Sequence, residues 1–141
     1  MNRFFVQLEY DGTKYHGFQK QPKTSKTIQH HLNKALTKVA NHKISTVCCG
    51  RTDAGVHAFN QFVHFDTSSS RKIDSWIKGV NVNLPNDITV KNFYKVDKDY
   101  HARFDAISRE YIYVIKNGNT PPAIGFNNCL WIKQSLNTDK M

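Results

Sequence analysis

Up to Val96, the spacing of apolar side chains switches repeatedly between two periods, and that succession restricts the fold more than any other feature. Phe4, Val6, Leu8 and Tyr10 alternate with Phe5, Gln7 and Glu9, the period of a strand, and Asp11-Gly12 is a turn pair. Residues 12–26 carry Gly12, Gly17 and Pro22 with no periodicity and read as a long basic loop, the kind of segment that serves function. Thr27 is an N-cap, and Ile28, Leu32, Ala35, Leu36 and Val39 then recur at helical spacing, which predicts an amphipathic helix over 28–41 with its lysines outward. Ile44 to Cys49 is apolar and β-branched, a buried strand. GRTDAG at 50–55 is a tight polar loop, and AFNQFVHFDT continues from it as a strand alternating through Phe59, Val63 and Phe65. Ile73, Trp76, Ile77 and Val80 predict a second helix ending near the turn at 81–86 with its Pro85, and Ile88 to Val96 returns as a strand.

The order β-α-β-β-α-β defines an α+β, ferredoxin-like (RRM-like) domain over 1–105: an antiparallel sheet with both helices on one face and the other face free for a ligand. A further strand, Ile107 to Lys116, is expected to extend that sheet over 106–116 as a cleft strand. Residues 117–141 close no fold of their own. Asn137 or Thr138 looks like the N-cap of a helix for which Met141 leaves no room, so the polypeptide reads as truncated, with 117–141 the start of a connection.

Charge narrows the partner. The 141 residues carry a net +9, and from Gly12 to Thr52 there is no Asp or Glu, while Lys14, Lys20, Lys23, Lys26, Lys34, Lys38, Lys43 and Arg51 all fall there. Such a window attracts a polyanion and speeds its encounter, which makes nucleic acid the leading partner class; a merely solvated lysine surface is the bland alternative. His16, His30, His31 and His42 are assigned no chemistry. Apolar runs fall far short of the about 20 residues of a bilayer span, and acidic residues arrive too early for a signal peptide. The three cysteines, two of them adjacent (Cys48, Cys49), fit neither a disulfide framework nor a metal-ligand spacing. A cytoplasmic location is expected.

One motif carries chemistry. In CCGRTDAGVHAF, Asp53 sits between Arg51 and Gly55 on the loop joining two central strands. Asp and Gly are ordinary turn residues, and that reading stays open. A neighbouring arginine also keeps a carboxylate ionised and able to act as nucleophile or base. The nearest other acids, Asp11 and Asp66, fall at strand ends, which fits neither the paired carboxylates of a glycosidase nor the clustered ligands of a metal nuclease. What remains is a lone carboxylate working on a nucleic acid.

YDGTKYHGFQKQP at 10–22, TIQHHLNKAL at 27–36, GRTDAGVHA at 50–58, QFVHFDT at 61–67, the Leu84-Pro85 pair, HARFDA at 101–106 and SREYIYVI at 108–115 together resemble the tRNA pseudouridine synthase A (TruA) family, collinearly over nearly the whole chain. The resemblance implies isomerisation of uridine to pseudouridine in the tRNA anticodon stem-loop, with no cofactor and no metal, in a pseudouridine synthase fold of two ferredoxin-like halves that forms a homodimer. It makes Asp53 the catalytic aspartate, whether by attack at uracil C6, attack at C1′ or removal of a ribose proton. It makes Tyr111 the aromatic residue that stacks on the target uracil, against the alternative of an ordinary strand aromatic like Tyr113. It makes Arg51 an RNA contact near the flipped nucleotide, against the alternative of a salt-bridge partner of Asp53; His57 is read as a local hydrogen-bonding residue. Lys14, Lys20, Lys23 and Lys26 would hold phosphates.

Family members are roughly twice as long, and their second half supplies a basic residue that pairs with the aspartate and an apolar residue that packs on the base. Neither has a counterpart here, so the chain is expected to be an N-terminal fragment with half an active site, inactive alone and prone to self-associate through an exposed sheet edge or face. The competing expectation is a structured-RNA-binding module without catalysis. A metal phosphodiesterase built on Asp53 and His57 is disfavoured.

Overall fold

The computed structural model describes Met1–Met141. The chain falls into two compact units, Met1–Ser108 and Arg109–Met141.

In the first unit, strands β1 (Asn2–Tyr10), β2 (Val47–Cys48), β3 (Ala58–Thr67) and β4 (Ile88–Val96) form one antiparallel sheet in the order β2-β3-β1-β4, with helices α1 (Ile28–Ala40) and α2 (Ile73–Val82) between them in sequence. The alternation of β1 sends Phe4, Val6, Leu8 and Tyr10 into the core. They meet Val63 and Phe65 of β3, Val90 and Phe93 of β4, and the buried stripe Ile28, Leu32, Ala35 and Leu36 of α1. Phe4, Phe65, Trp76 and Phe93 pack as an aromatic cluster with ring centres 5.6–6.4 Å apart. Burying side chains of this size contributes about 2–3 kcal/mol each, which anchors α2 on the sheet.

Helix α1 begins where its cap predicts: Thr27 Oγ1 accepts the His30 N–H at 3.3 Å. It stops one residue short of the expected 41, because Asn41 turns left-handed at φ 60. The strand expected over Ile44 to Cys49 shortens to Val47–Cys48 for a definite reason. Side chains of α1 take the backbone donors that a ladder would use: Ile44 N–H donates to Thr37 Oγ1 at 2.9 Å and Thr46 N–H to Asn33 Oδ1 at 3.1 Å.

A larger correction concerns Ile107 to Lys116. It does not extend the four-stranded sheet; residues 107–114 are irregular, with Tyr111, Ile112, Tyr113 and Val114 exposed, and only β5 (Ile115–Asn117) is a strand. Apolar side chains on both faces of this stretch call for a pairing partner. Within the second unit only β5 finds one, in parallel register with β6 (Leu130–Ile132). Trp131 Nε1–H donates to the Gly118 carbonyl at 2.9 Å, and the Asn117 amide donates to the carbonyls of Ile132 and Gln134, fastening this small pair. Near the end, the Asn137 side chain accepts the Asp139 N–H at 3.1 Å and caps a single 3-10 turn, Thr138–Lys140.

Candidate active site

The GRTDAG loop leaves β2 and returns as β3, and its shape is imposed by residues 10–18 far away in sequence. Three backbone N–H donors tie residues 10–18 to the loop and to the residues that follow it: Phe18 N–H to the Thr52 carbonyl at 3.0 Å, Gly55 N–H to the Tyr15 carbonyl at 3.2 Å, and Gly12 N–H to His57 Nδ1 at 2.9 Å. The same His57 nitrogen lies 3.1 Å from Asp11 Oδ1. A turn between the Asp53 carbonyl and Val56 N–H, 3.2 Å, closes the loop upon itself.

The approach is so close that only glycine fits at two points. A Cβ on Gly12 would sit 2.0 Å from the Val56 carbonyl oxygen, and one on Gly17 would sit 2.8 Å from that of Thr52. Gly17 also holds φ at +88, a region that residues with side chains rarely adopt. Below the loop, buried Gln61 donates to the Gly50 carbonyl at 2.7 Å, while Tyr10 Oη and Thr52 Oγ1 share a hydrogen bond of 2.7 Å. Burial pushes the Tyr10 hydroxyl pKa up, so it stays protonated at neutral pH. Tyr15, whose carbonyl holds Gly55, is itself hydrogen-bonded through its hydroxyl to Asp87.

On this fixed loop Asp53 and Arg51 are both exposed, and no ion pair joins them. The salt-bridge alternative for Arg51 is therefore not what the structure adopts. The Asp53 carboxylate accepts no hydrogen bond within the chain, so its lone pairs are available to an incoming group. Burial raises the pKa of the Cys48 thiol beneath the loop, and the positive charges of Arg51 and Arg103 act on it in the opposite direction. Arg103, whose charge acts on the same thiol as that of Arg51, is a residue that sequence reasoning passed over. The HARFDA segment that carries it docks on the sheet by its backbone: Ala102 N–H donates to Nδ1 of buried His64 at 3.1 Å, and the rings of His64 and His101 lie 4.5 Å apart. Burial, with the Arg3 charge, lowers the His64 pKa to about 4, which keeps the imidazole a neutral acceptor.

Lys14, on the segment that grips the Asp53 loop, and Lys20, Lys23 and Lys26, which follow it, are all exposed. Around the tight Gln21–Thr24 hairpin, Lys20, Lys23, Ser25 and His30 border a shallow recess of about 280 Å³. Tyr111 belongs to the second unit and is 76% exposed.

The sequence profile of the tRNA pseudouridine synthase family matches residues 7–105, a span that includes the 10–18 segment, the GRTDAG loop, the end of β1 from Gln7 and the whole of β2, β3 and β4. This chain belongs to the tRNA pseudouridine synthase family. Proteins named tRNA pseudouridine synthase A resemble it along its length: 47% identity over 141 residues in Alcanivorax borkumensis, 47% over 139 in Aliivibrio salmonicida, and 45% over 139 in Buchnera aphidicola subsp. Schizaphis graminum. These alignments take in 100%, 99% and 99% of this chain but 53%, 53% and 52% of the relatives, so the chain spans about half the length of the curated relatives it matches. No helix is long and apolar enough to cross a membrane.

Proposed function

We propose that this chain supplies the catalytic aspartate of an enzyme that converts uridine to pseudouridine in the anticodon stem-loop of tRNA, without cofactor or metal. The observation that carries the reading is the Asp53 carboxylate, exposed and without an internal partner on a loop whose backbone is fixed from both sides. A nucleophile or base that must meet an extruded nucleotide gains from such fixity, since misplacement by about 1 Å costs about 100-fold in rate. The strand order β2-β3-β1-β4 supports the ferredoxin-like reading of the first unit.

In this reaction the C1′–N1 bond breaks, the uracil turns, C1′ joins C5, the proton on C5 leaves to solvent and N1 takes up a proton from solvent, so that substrate and product are isomers. The base must leave its stack to be reached, at a cost of a few kcal/mol. Tyr111 offers an aromatic face for the extruded uracil, Arg51 a cation for the RNA backbone beside it, and Lys14, Lys20, Lys23 and Lys26 the phosphate contacts that position an A-form stem by shape. The working enzyme is a homodimer in this reading.

The test is tritium release from tRNA labelled at uridine C5. It is applied to a chimera in which this chain replaces the matching part of the Alcanivorax borkumensis relative, beside its Asp53→Asn form. Release that disappears with Asp53→Asn is expected. Equal release from both forms refutes the assignment, and a chimera that binds tRNA without any release leaves the structured-RNA-binding module as the better description.

A further inference from the structure

Beside the Asp53 loop, β1 meets each of its neighbours through a break in register at the same level. Toward β3, Leu8 pairs with Gln61 but Tyr10 pairs with Ala58, so Glu9 faces two residues, Phe59 and Asn60. Toward β4, Gln7 pairs with Asn92 but Leu8 with Val90, which leaves Lys91 as the extra residue. Bulges of this kind interrupt the alternation, increase the local twist and re-aim a side chain, and they concentrate next to active sites. The two bulges are tied together across β1. Lys91 Nζ lies 2.6 Å from Glu9 Oε2 and donates to the carbonyl of Phe59 at 3.1 Å. Asn60, the other residue of the β3 bulge, accepts the Gln7 amide at 2.8 Å, so this bulge is held at both of its residues.

The product of this bracing is an aromatic ring in water. The sequence pattern places Phe59 in the apolar alternation of the strand with Val63 and Phe65; those two are buried, whereas Phe59 is 78% exposed. It stands six residues after Asp53, within about 20 Å even for extended chain, and the turn from Asp53 to Val56 shortens that span. The chain as a whole suits a polyanion, with a net +9 and an acid-free stretch from Gly12 to Thr52, and next to Phe59 the charge of Glu9 is paired with Lys91.

We infer that Phe59 is a nucleobase-stacking site, taking an unpaired RNA base that neighbours the nucleotide offered to Asp53. Because every base has a π-face, such a site accepts purines and pyrimidines alike and selects for unpaired over paired RNA. The inference rests on the proposal that Asp53 works on RNA, and it assigns that site a second base contact, separate from the one given to Tyr111.

The experiment titrates the 141-residue chain into an RNA hairpin with 2-aminopurine in its loop, and into a fully paired RNA of the same length, for wild type, Phe59→Ala and Phe59→Trp. Exposure of Phe59 means that thermal unfolding should be the same for all three. Expected for Phe59→Ala is hairpin binding weaker by about 5- to 150-fold, loss of the 2-aminopurine quenching, and unchanged binding of the paired RNA; Phe59→Trp restores both hairpin signals. Equal hairpin affinity and equal quenching in wild type and Phe59→Ala overturn the inference while leaving the RNA reading intact. A wild-type chain that binds neither RNA overturns the RNA reading and this inference with it. Unaltered RNA binding together with a self-associated wild type that Phe59→Ala dissociates also overturns it, assigning the ring to contact with a second copy.

Discussion

Gly12→Ala probes how the aspartate loop is held. The new methyl carbon would lie 2.0 Å from the Val56 carbonyl oxygen, and an ordinary contact begins at 3.4 Å, so the carbonyl must retreat by about 1.4 Å. That retreat pulls on the Gly12 N–H to His57 bond of 2.9 Å and on the Val56 N–H to Asp53 turn of 3.2 Å. Loss of two hydrogen bonds at about 1 kcal/mol each, with overpacking of about 1–3 kcal/mol, gives a destabilisation of about 3–5 kcal/mol. At about 4 °C per kcal/mol for a unit the size of Met1–Ser108, the melting midpoint falls by about 12–20 °C. The assay is thermal and urea unfolding followed by fluorescence of the buried Trp76, with tritium release from the chimera measured well below the midpoint. Turnover should drop by about 100-fold even where the protein is folded, because the displaced loop carries Asp53. A midpoint within about 2 °C of wild type, or full turnover in the folded variant, refutes the argument that loop 10–18 sets the carboxylate's position.

His64 gives a pH signature. Its folded pKa of about 4 lies below the ordinary imidazole value of 6.5, so the unfolded chain binds the proton more readily; the stability it confers is complete above pH 6.5 and is lost as pH falls toward 4, by about 2–3 kcal/mol. Because burial lowers His31 in the same direction, the measurement is the difference between wild type and His64→Asn, whose profile should be flatter over that interval. Gln61→Ala strands the Gly50 carbonyl and should cost about 2–3 kcal/mol by urea unfolding; a loss under 0.5 kcal/mol contradicts the role given to that amide (about 1–3 kcal/mol is typical for an orphaned buried group). Replacing Lys14, Lys20, Lys23 and Lys26 by alanine should weaken tRNA binding and flatten its salt dependence by about 0.7–0.9 in logarithmic slope for every phosphate no longer neutralised, whereas an unchanged slope removes these lysines from the interface.

Strands β1, β3 and β4 and helix α1 were legible because each buries one face, and burial of one face leaves a period in the sequence. What the period does not encode is who takes the backbone hydrogen bonds. Asn33 and Thr37 shorten β2 from a neighbouring helix, and the apolar run at 107–114 stays irregular although its composition is that of a strand. The same limit hid Phe59, since a bulge inserts one residue without altering the composition around it. At the site, Asp53 and Arg51 were visible as a motif. The grip upon them was not, because Gly12, Gly17, His57 and Gln61 act through contacts between segments about 35–50 residues apart. The paired glycines of loop 12–17 were the available signal: a basic loop that twice dispenses with a side chain is prepared for something to approach it closely.

Asp53 is proposed to perform chemistry on a nucleotide that other residues bind. The most direct test of that role measures, on one preparation of the chimera, both tRNA affinity and the single-turnover rate of tritium release for Asp53 and Asp53→Asn. Expected for Asp53→Asn is a rate lower by at least about 100-fold with an affinity within about threefold of wild type. A variant that keeps its rate, or one whose rate falls only as far as its affinity does, contradicts that role.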